Sequence, residues 1–551
     1  MPIFRMVKMR RTPKFTRQLL LNCALGVLLV VASIVSLRAL HTGWAAFSET
    51  GNQKSNSAAS PHVSQATTNS KQSPASLSQS IDSAIDQSEL ASARWGISVI
   101  SLTSGREVYG RNANQLFIPA SNTKIYTTGV ALDLLGANYR WRTSVYADAQ
   151  PDADGTIDGD LVLYGRGAPD LISQSRKDSK GSLAQLADDL YQRGIRQVRG
   201  NVIGDESYFR GETLGDGWPW TDLQWYFGAE ASALSINDNE IGVNIFPHGK
   251  SDAAPQVKVN DADNYVSVQN SMTTVKRGGR LTIGIHRGLS DNTIRIWGEF
   301  PLDGKGFGAR LSVHNPALWA ARLFSKTLQD RGIKVEGGAQ ARNAREPISR
   351  RFDPAGSAEL AFVSSKPLRE IVKETNKASI NLYAELLLRT LGRERGNMVS
   401  TPEPVGKERG DDEIGLAVIR LWLSRAGIAT ADLALHDGSG LSRLNLVTPE
   451  SISRLLVSLS KTAAGSIFRE SLPISGIDGT LGGRLGKITN QVSAKTGALT
   501  YITSLSGYLT AADGEVLAFS IICNDQTTRA SATRIIDQIV SILAADPAIK
   551  G

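Results

Sequence analysis

Phe117-Ile118-Pro119-Ala120-Ser121-Asn122-Thr123-Lys124 opens an apolar-periodic segment that runs to Leu135 and stops at Gly136. Proline near the start and glycine just past the end are helix punctuation. The spacing puts Ser121 in the first turn and Lys124 one turn later on the same face. A serine hydroxyl is a weak nucleophile without an adjacent base. A lysine becomes that base when burial and a neighbouring cation lower its pKa. The free N–H groups of a helix N-terminus point toward developing negative charge. The stretch therefore has the parts of an acyl-transfer site.

Two later triplets have the complementary chemistry. Ser379-Ile380-Asn381 falls between candidate helices at 367–375 and 382–391, where a rigid loop can bring a hydroxyl and an amide to Ser121. Lys495-Thr496-Gly497 lies on a strand at 491–498. There Gly497 lets a substrate backbone approach, and Lys495 offers a fixed cation to a carboxylate. Each short pattern has rivals. Ser458 and Lys461 repeat the first spacing, but Lys461 opens a loop, so this pair reads as helix surface. Ser290-Asp291-Asn292 repeats the second and has the composition of a hairpin turn. Ser235 and Asn237 sit in a strand-rich stretch. Context selects Ser379.

Outward from these motifs the chain divides by texture. A hairpin is expected at 95–112, helices at 413–425 and 527–544, and strands at 501–509 and 515–523. Together they predict an α/β (α+β) domain, an antiparallel sheet flanked by helices, made of 81–142 and 356–551. The intervening 143–355 reads as a large strand-rich insertion of two subdomains. Within it Leu190-Tyr191-Gln192-Arg193-Gly194-Ile195 and Leu328-Gln329-Asp330-Arg331-Gly332-Ile333 use one device, a helix capped by glycine and followed by a strand.

The order Ser-x-x-Lys, Ser-x-Asn, Lys-Thr-Gly resembles the active-site signature of the penicillin-recognising serine enzymes. The likeness goes further at 117–124, at Ser379-Ile380-Asn381-Leu382-Tyr383-Ala384-Glu385, and at Asp437-Gly438-Ser439-Gly440-Leu441-Ser442-Arg443. The long interval from Ser121 to Ser379 and the block Gly217-Trp218-Pro219-Trp220-Thr221-Asp222 add to it. Over roughly 85–545 the chain looks like the D-alanyl-D-alanine carboxypeptidase/endopeptidase family, the class C low-molecular-mass penicillin-binding proteins.

That resemblance implies a serine peptidase of peptidoglycan peptides, with β-lactams as covalent inhibitors. It implies that Ser121 is acylated and that Lys124 takes its proton. Ser379 and Asn381 relay protons and position substrate. Lys495 and Thr496 hold the terminal carboxylate, with help from Arg443. Gly497 and Ala498 line the substrate strand, and the N–H groups of Ser121 and Ala498 form the oxyanion hole. Asp222 is the candidate for binding the ammonium of the peptide's diamino acid. Two positions depart from the family pattern. Ile380 stands where Asp or Asn is frequent, and Ala498 where a hydroxyl is common. The second removes a hydrogen bond worth about 0.5–1.5 kcal/mol. The sequence leaves the balance of carboxypeptidase and endopeptidase activity open. A β-lactamase reading lacks a Glu-x-x-Leu-Asn deacylation motif, and a non-enzymatic wall-binding scaffold would not need all three motifs.

Composition narrows the alternatives. The net charge of +8 is concentrated in Arg5, Lys8, Arg10, Arg11, Lys14, Arg17 and Arg38, ahead of the first acidic residue. The remaining charges nearly balance, so no nucleic-acid partner is expected. Six of those groups precede an apolar run at 19–37. Residues 1–47 therefore read as a signal peptide or an N-terminal membrane anchor, with the rest exported to a periplasmic or other extracytoplasmic space. Residues 48–80, rich in Ser, Gln and Asn, read as a flexible linker. The six histidines lack ligand spacing, so neither metal nor cofactor is expected. Cys523 sits in an apolar run and reads as a buried thiol.

Overall fold

The computed structural model describes residues 76–173, 181–261, 263–347, 352–400 and 408–546. The leader and nearly all of the linker lie outside these. Among the described residues no helix is long and apolar enough to cross a membrane.

The first ordered element departs from the sequence reading. A helix, Leu77–Asp86, begins inside the segment taken as linker. Ser76 Oγ accepts from Gln79 N at 3.3 Å and Gln79 Oε1 accepts from Ser76 N at 3.0 Å, a reciprocal capping box. Ile81 and Ile85, one turn apart, are fully buried. The polar composition concealed a short amphipathic helix.

The strands form the expected antiparallel sheet. Its order is Val492–Leu499, Ile502–Thr510, Val516–Asn524, Arg94–Ser101, Glu107–Arg111. Arg94 pairs with Asn524 and Ser101 with Leu517, so the two ends of the domain meet in adjacent strands. Helices cover both faces, which explains why these strands read as continuous apolar runs. On one face Trp95, Ile97, Val99 and Phe519 pack with Leu77–Asp86 and with the final helix, Arg529–Ala545. The other face meets Pro449–Ser460 and the Ala120–Asn122 turn, which leads into Thr123–Leu135, a helix buried almost all round from Thr123 to Leu132. That helix is enclosed by Leu368–Ala378, Asn381–Arg395 and Pro449–Ser460. Cys523 is buried, as its apolar surroundings suggested.

The strand-rich region builds its own sheets. A mixed five-stranded one has the order Ala339–Arg342, Val202–Asp205, Leu161–Tyr164, Arg142–Ala147, Ala358–Ser364. Its last strand pairs with its neighbour from Ala358 opposite Ala147 to Ser364 opposite Arg142. The sheet therefore closes at 364, beyond the expected limit of 355. Helices Ser182–Gln192 and Pro316–Asp330 pack against this core, and each leads to a left-handed glycine, Gly194 or Gly332. The short strands that follow, Gln197–Val198 and Lys334–Val335, pair in parallel with each other. Two three-stranded sheets complete the region. Ser290-Asp291-Asn292 forms the turn between Thr282–Arg287 and Thr293–Pro301, with Asp291 Oδ1 accepting from Thr293 N.

Helices Asn381–Arg395 and Asp411–Arg425 touch backbone to backbone. A Cβ on Gly392 would lie 1.8 Å from Asp411 O, and one on Gly415 2.2 Å from Leu388 O. Replacing an unstrained glycine by alanine ordinarily stabilises by about 0.4–1 kcal/mol. Here Gly392→Ala should instead cost about 1–3 kcal/mol through overpacking. The thermal midpoint should fall, and a rise would contradict the close approach.

Candidate active site

Ser121 sits in the tight turn Ala120–Asn122, which runs directly into helix Thr123–Leu135. Ala120 takes a left-handed φ of 50°. Gly440 lies against it so closely that a Cβ there would be 1.9 Å from Ala120 O. Pro119 O is held by Ser504 Oγ at 2.7 Å and the Asn122 amide by Ser506 Oγ at 2.7 Å. The turn is thus clamped between the sheet and the 437–445 loop.

Lys124 Nζ lies 3.1 Å from Ser121 Oγ, 2.7 Å from Asn381 Oδ1 and 2.6 Å from Ser439 O. The last two oxygens can only accept. A neutral amine has two hydrogens and one lone pair, so its hydrogens go to them and the lone pair faces the Ser121 hydroxyl. Lys124 is fully buried, and burial pushes its pKa down to about 7 against the pull of Asp437 and Glu385. The sequence singled out Lys124 but not its acceptors.

Ser379 occupies a left-handed position, φ 60°, at the end of helix Leu368–Ala378. Asn381 begins the next helix, and its Nδ2 donates to Phe227 O at 2.8 Å. Lys495 Nζ donates to Ser379 Oγ at 2.8 Å and to Thr496 O at 2.9 Å. Lys495 is completely buried, and burial together with the Lys124 charge holds its pKa well below that of a free lysine. Successive residues of a strand face opposite ways, so Thr496 reaches the cleft while Lys495 lies behind it. Thr496 Oγ1 hydrogen-bonds Thr480 Oγ1 at 2.7 Å. At Gly497 a Cβ would lie 2.2 Å from Ser504 Oγ and 3.2 Å from Ser121 N. The glycine is what lets the strand run beside the nucleophile.

Ser121, Ser379, Asn381, Thr496 and Ala498 line a cleft of about 610 Å³. The inserted region supplies its other wall, including Asp222, Tyr226, Asp238 and Arg310. Asp222 is half-buried, and burial raises its pKa while the Arg443 charge opposes the shift. Arg443 donates to Thr500 O at 3.2 Å. A larger cavity of about 910 Å³, bordered by Glu212, Arg345, Arg420 and His436, contains none of the motif side chains. Chemistry, not volume, selects the smaller one. The rival serine at 235 is spent on Ser232 O. Lys461 caps its helix in solvent.

Two carboxylates missed as functional residues hold the 437–445 loop. Asp437 accepts from Gly440 N at 2.8 Å, Ser442 N at 2.7 Å, Asn445 Nδ2 at 2.7 Å and Trp218 Nε1 at 2.9 Å. Glu385, fully buried, accepts from Gly438 N at 3.0 Å and Ser439 N at 2.9 Å, and pairs with buried Arg389 at 3.1 Å. Burial pushes Glu385 up to about 7. These bonds aim the Ser439 carbonyl at Lys124. A carbonyl carries no side-chain signature, and the 437–443 stretch stood out only through the family resemblance.

A cleft serine hydrogen-bonded to a buried lysine beside a Lys-Thr-Gly strand has the geometry of a serine acyl-transfer site. The chain belongs to the D-Ala-D-Ala carboxypeptidase 3 (S13) family, whose model matches residues 77–546. It is 32% identical to a D-alanyl-D-alanine carboxypeptidase of an Actinomadura species over 81% of each chain. It is 28% identical to the carboxypeptidase DacB of Haemophilus influenzae, covering 76% of this chain and 82% of that one. The crystal structure of penicillin binding protein 4 (dacB) from Haemophilus influenzae superposes with a TM-score of 0.71 at 25% identity, covering 84% of this chain and 99% of that one. Membership of the S13 family makes the protein a peptidase of the D-Ala-D-Ala carboxypeptidase type.

Glu385→Ala would leave Arg389 and two buried N–H groups without their acceptor. The expected loss is about 3–5 kcal/mol of stability, the scale for breaking a buried pair. Glu385→Gln keeps an acceptor oxygen and should lose less. Denaturant unfolding of both variants would show it, and equal losses would refute the account.

Proposed function

We propose that Ser121 Oγ attacks the carbonyl of the penultimate D-alanine of a wall peptide, while Lys124 Nζ takes its proton. The oxyanion faces the N–H groups of Ser121 and Ala498. The C–N bond breaks, and the leaving amine receives its proton from Lys124 by way of Ser379. Water then attacks the ester, Lys124 takes the water's proton, and Ser121 leaves with one. Asn381 orients the base. Thr496 meets the terminal carboxylate, with Lys495 behind it fixing Ser379. Asp222, beside Arg443, receives the ammonium of the diamino acid. The leaving group is an amine both in a terminal D-alanine and in a D-alanyl cross-link, so one acyl-enzyme serves carboxypeptidase and endopeptidase reactions. β-Lactams acylate the same serine. The export-type leader at 19–37 supports an extracytoplasmic location, through a cleaved signal or a retained anchor.

The contact of Lys124 with Ser121 and two pure acceptors is the observation that carries this reading. Intact mass after incubation with benzylpenicillin should show one added drug, absent in Ser121→Ala. No adduct with the drug intact would point to a scaffold. No adduct with the drug hydrolysed would point to a β-lactamase.

The base works only when neutral. Lys124 is protonated below a pKa of about 7. The acylation rate should therefore fall roughly tenfold per pH unit below that point and level off above it. Stopped-flow acylation between pH 5 and 9 measures this, and a flat profile would exclude Lys124 as the base.

A further inference from the structure

The inserted region exposes two tryptophans that its core does not use. Trp297 lies on strand Thr293–Pro301, where Ile294 and Ile296 are fully buried and the alternate residues face outward. Its ring is 49% exposed, on the solvent side of a half-buried sheet. Trp220 is 66% exposed, above every other large apolar side chain among the described residues. A turn closed by Asp222 N donating to Pro219 O at 2.9 Å throws it outward. Its neighbour Trp218 stays pinned to Asp437. Scattered exposed apolar residues mean little, but contiguous ones mark binding surfaces. These two share one groove of about 160 Å³ with Thr221, Gln224, His286 and Leu289.

Neighbouring residues of one short segment line the groove and the cleft. Asp222 lines the cleft, while Thr221 and Gln224 line the groove. Buried Arg287 fastens the two together. Its guanidinium donates to Leu223 O at 2.9 Å and Ser312 Oγ at 2.9 Å, and its backbone N donates to Gln224 Oε1 at 3.1 Å. Ser312 N donates to Gln224 O at 3.0 Å. A ligand leaving the cleft past Asp222 meets the indoles on a rigid wall.

The lining chemistry selects the ligand. No carboxylate lines the groove, and the Arg287 guanidinium is committed to neighbouring oxygens. Two indole faces with hydroxyl, amide and imidazole edges suit a neutral ring that has a C–H face and a polar rim. The volume is on the scale of one pyranose. A protein partner needs about 800 Å² on each side, far more than such a groove offers. We propose that the groove is a saccharide subsite, in which Trp220 and Trp297 stack on an amino-sugar ring of the glycan that carries the substrate peptide. The proposal rests on the cleft taking peptidoglycan peptides.

The test uses the full chain, Trp220→Ala/Trp297→Ala, and Trp297→Phe. The readout is the ratio of kcat/KM for a disaccharide-linked wall peptide to that for the same peptide without sugars. The wild-type ratio should be about 5–10, expressed in KM, the scale of an aromatic contact. It should fall to near one in the double variant and recover in part with phenylalanine at 297. Because it is a ratio, it is indifferent to a general loss of activity, and benzylpenicillin acylation reports folding. A wild-type ratio near one, or an unchanged ratio in the double variant, would overturn the subsite and leave the peptidase reading intact. If neither substrate is cleaved, the cleft reading fails, and saturation-transfer NMR with the disaccharide alone decides the groove. Saturable binding lost in the double variant supports the subsite, and no binding overturns it. Self-association abolished by the double variant, with no sugar dependence, would also overturn it in favour of a protein interface.

Discussion

Two lysines excluded from water within one core set the terms for the rest of the molecule. Bringing an ammonium group out of water costs several kcal/mol unless its hydrogens find acceptors. Lys124 finds hydrogen-bond partners on three separate segments, in Ser121, Asn381 and Ser439, the last two as acceptors. Lys495 finds them in Ser379 and Thr496. The Lys124 charge also makes Lys495 harder to protonate, since the two share one dry region. Satisfying both requires the nucleophile helix, the 379–381 turn, the 437–445 loop and the edge strand Val492–Leu499 to converge within a few ångströms. The enclosing sheet and helices make that convergence rigid.

The inserted region is part of this arrangement. Phe227 O takes the second end of the Asn381 amide, and Trp218 Nε1 holds Asp437. A block that builds its own sheets thus steadies two of the catalytic loops. Its wall of Asp222, Tyr226, Asp238 and Arg310 also turns a shallow groove into a cleft with two sides.

What the sequence made legible follows the physics of each signal. Ser121, Lys124, Ser379, Asn381 and Lys495 were visible because their chemistry lies in side-chain type, and because helix and strand punctuation separated them from rivals such as Ser290 and Ser458. The strands of the central sheet were visible as apolar runs because both faces are covered. The Ser439 and Phe227 carbonyls were invisible, since every residue has one. Glu385 looked like an ordinary helix carboxylate, and only the structure shows it among buried N–H groups. Helix Leu77–Asp86 was lost in a polar tract where only Ile81 and Ile85 are fully buried, with Leu77 and Ala84 at the margin of the core. Strand Ala358–Ser364 was lost because a neighbouring sheet, not its own composition, extends it. The direction of Lys495 required the strand register.

The pairing of Arg94–Ser101 with Val516–Asn524 bears on when this molecule becomes dangerous to peptide bonds. The segment carrying Ser121 is synthesised early, but the strand beside it and the lysine behind Ser379 come near the end of the chain. Contacts so distant in sequence form late, after a large loop has been closed. Until then the hydroxyl is an ordinary serine with no dry pocket to lower the pKa of its partner. The surroundings of Ser121 and Lys124 are thus complete only once the last strands of the domain have joined the sheet.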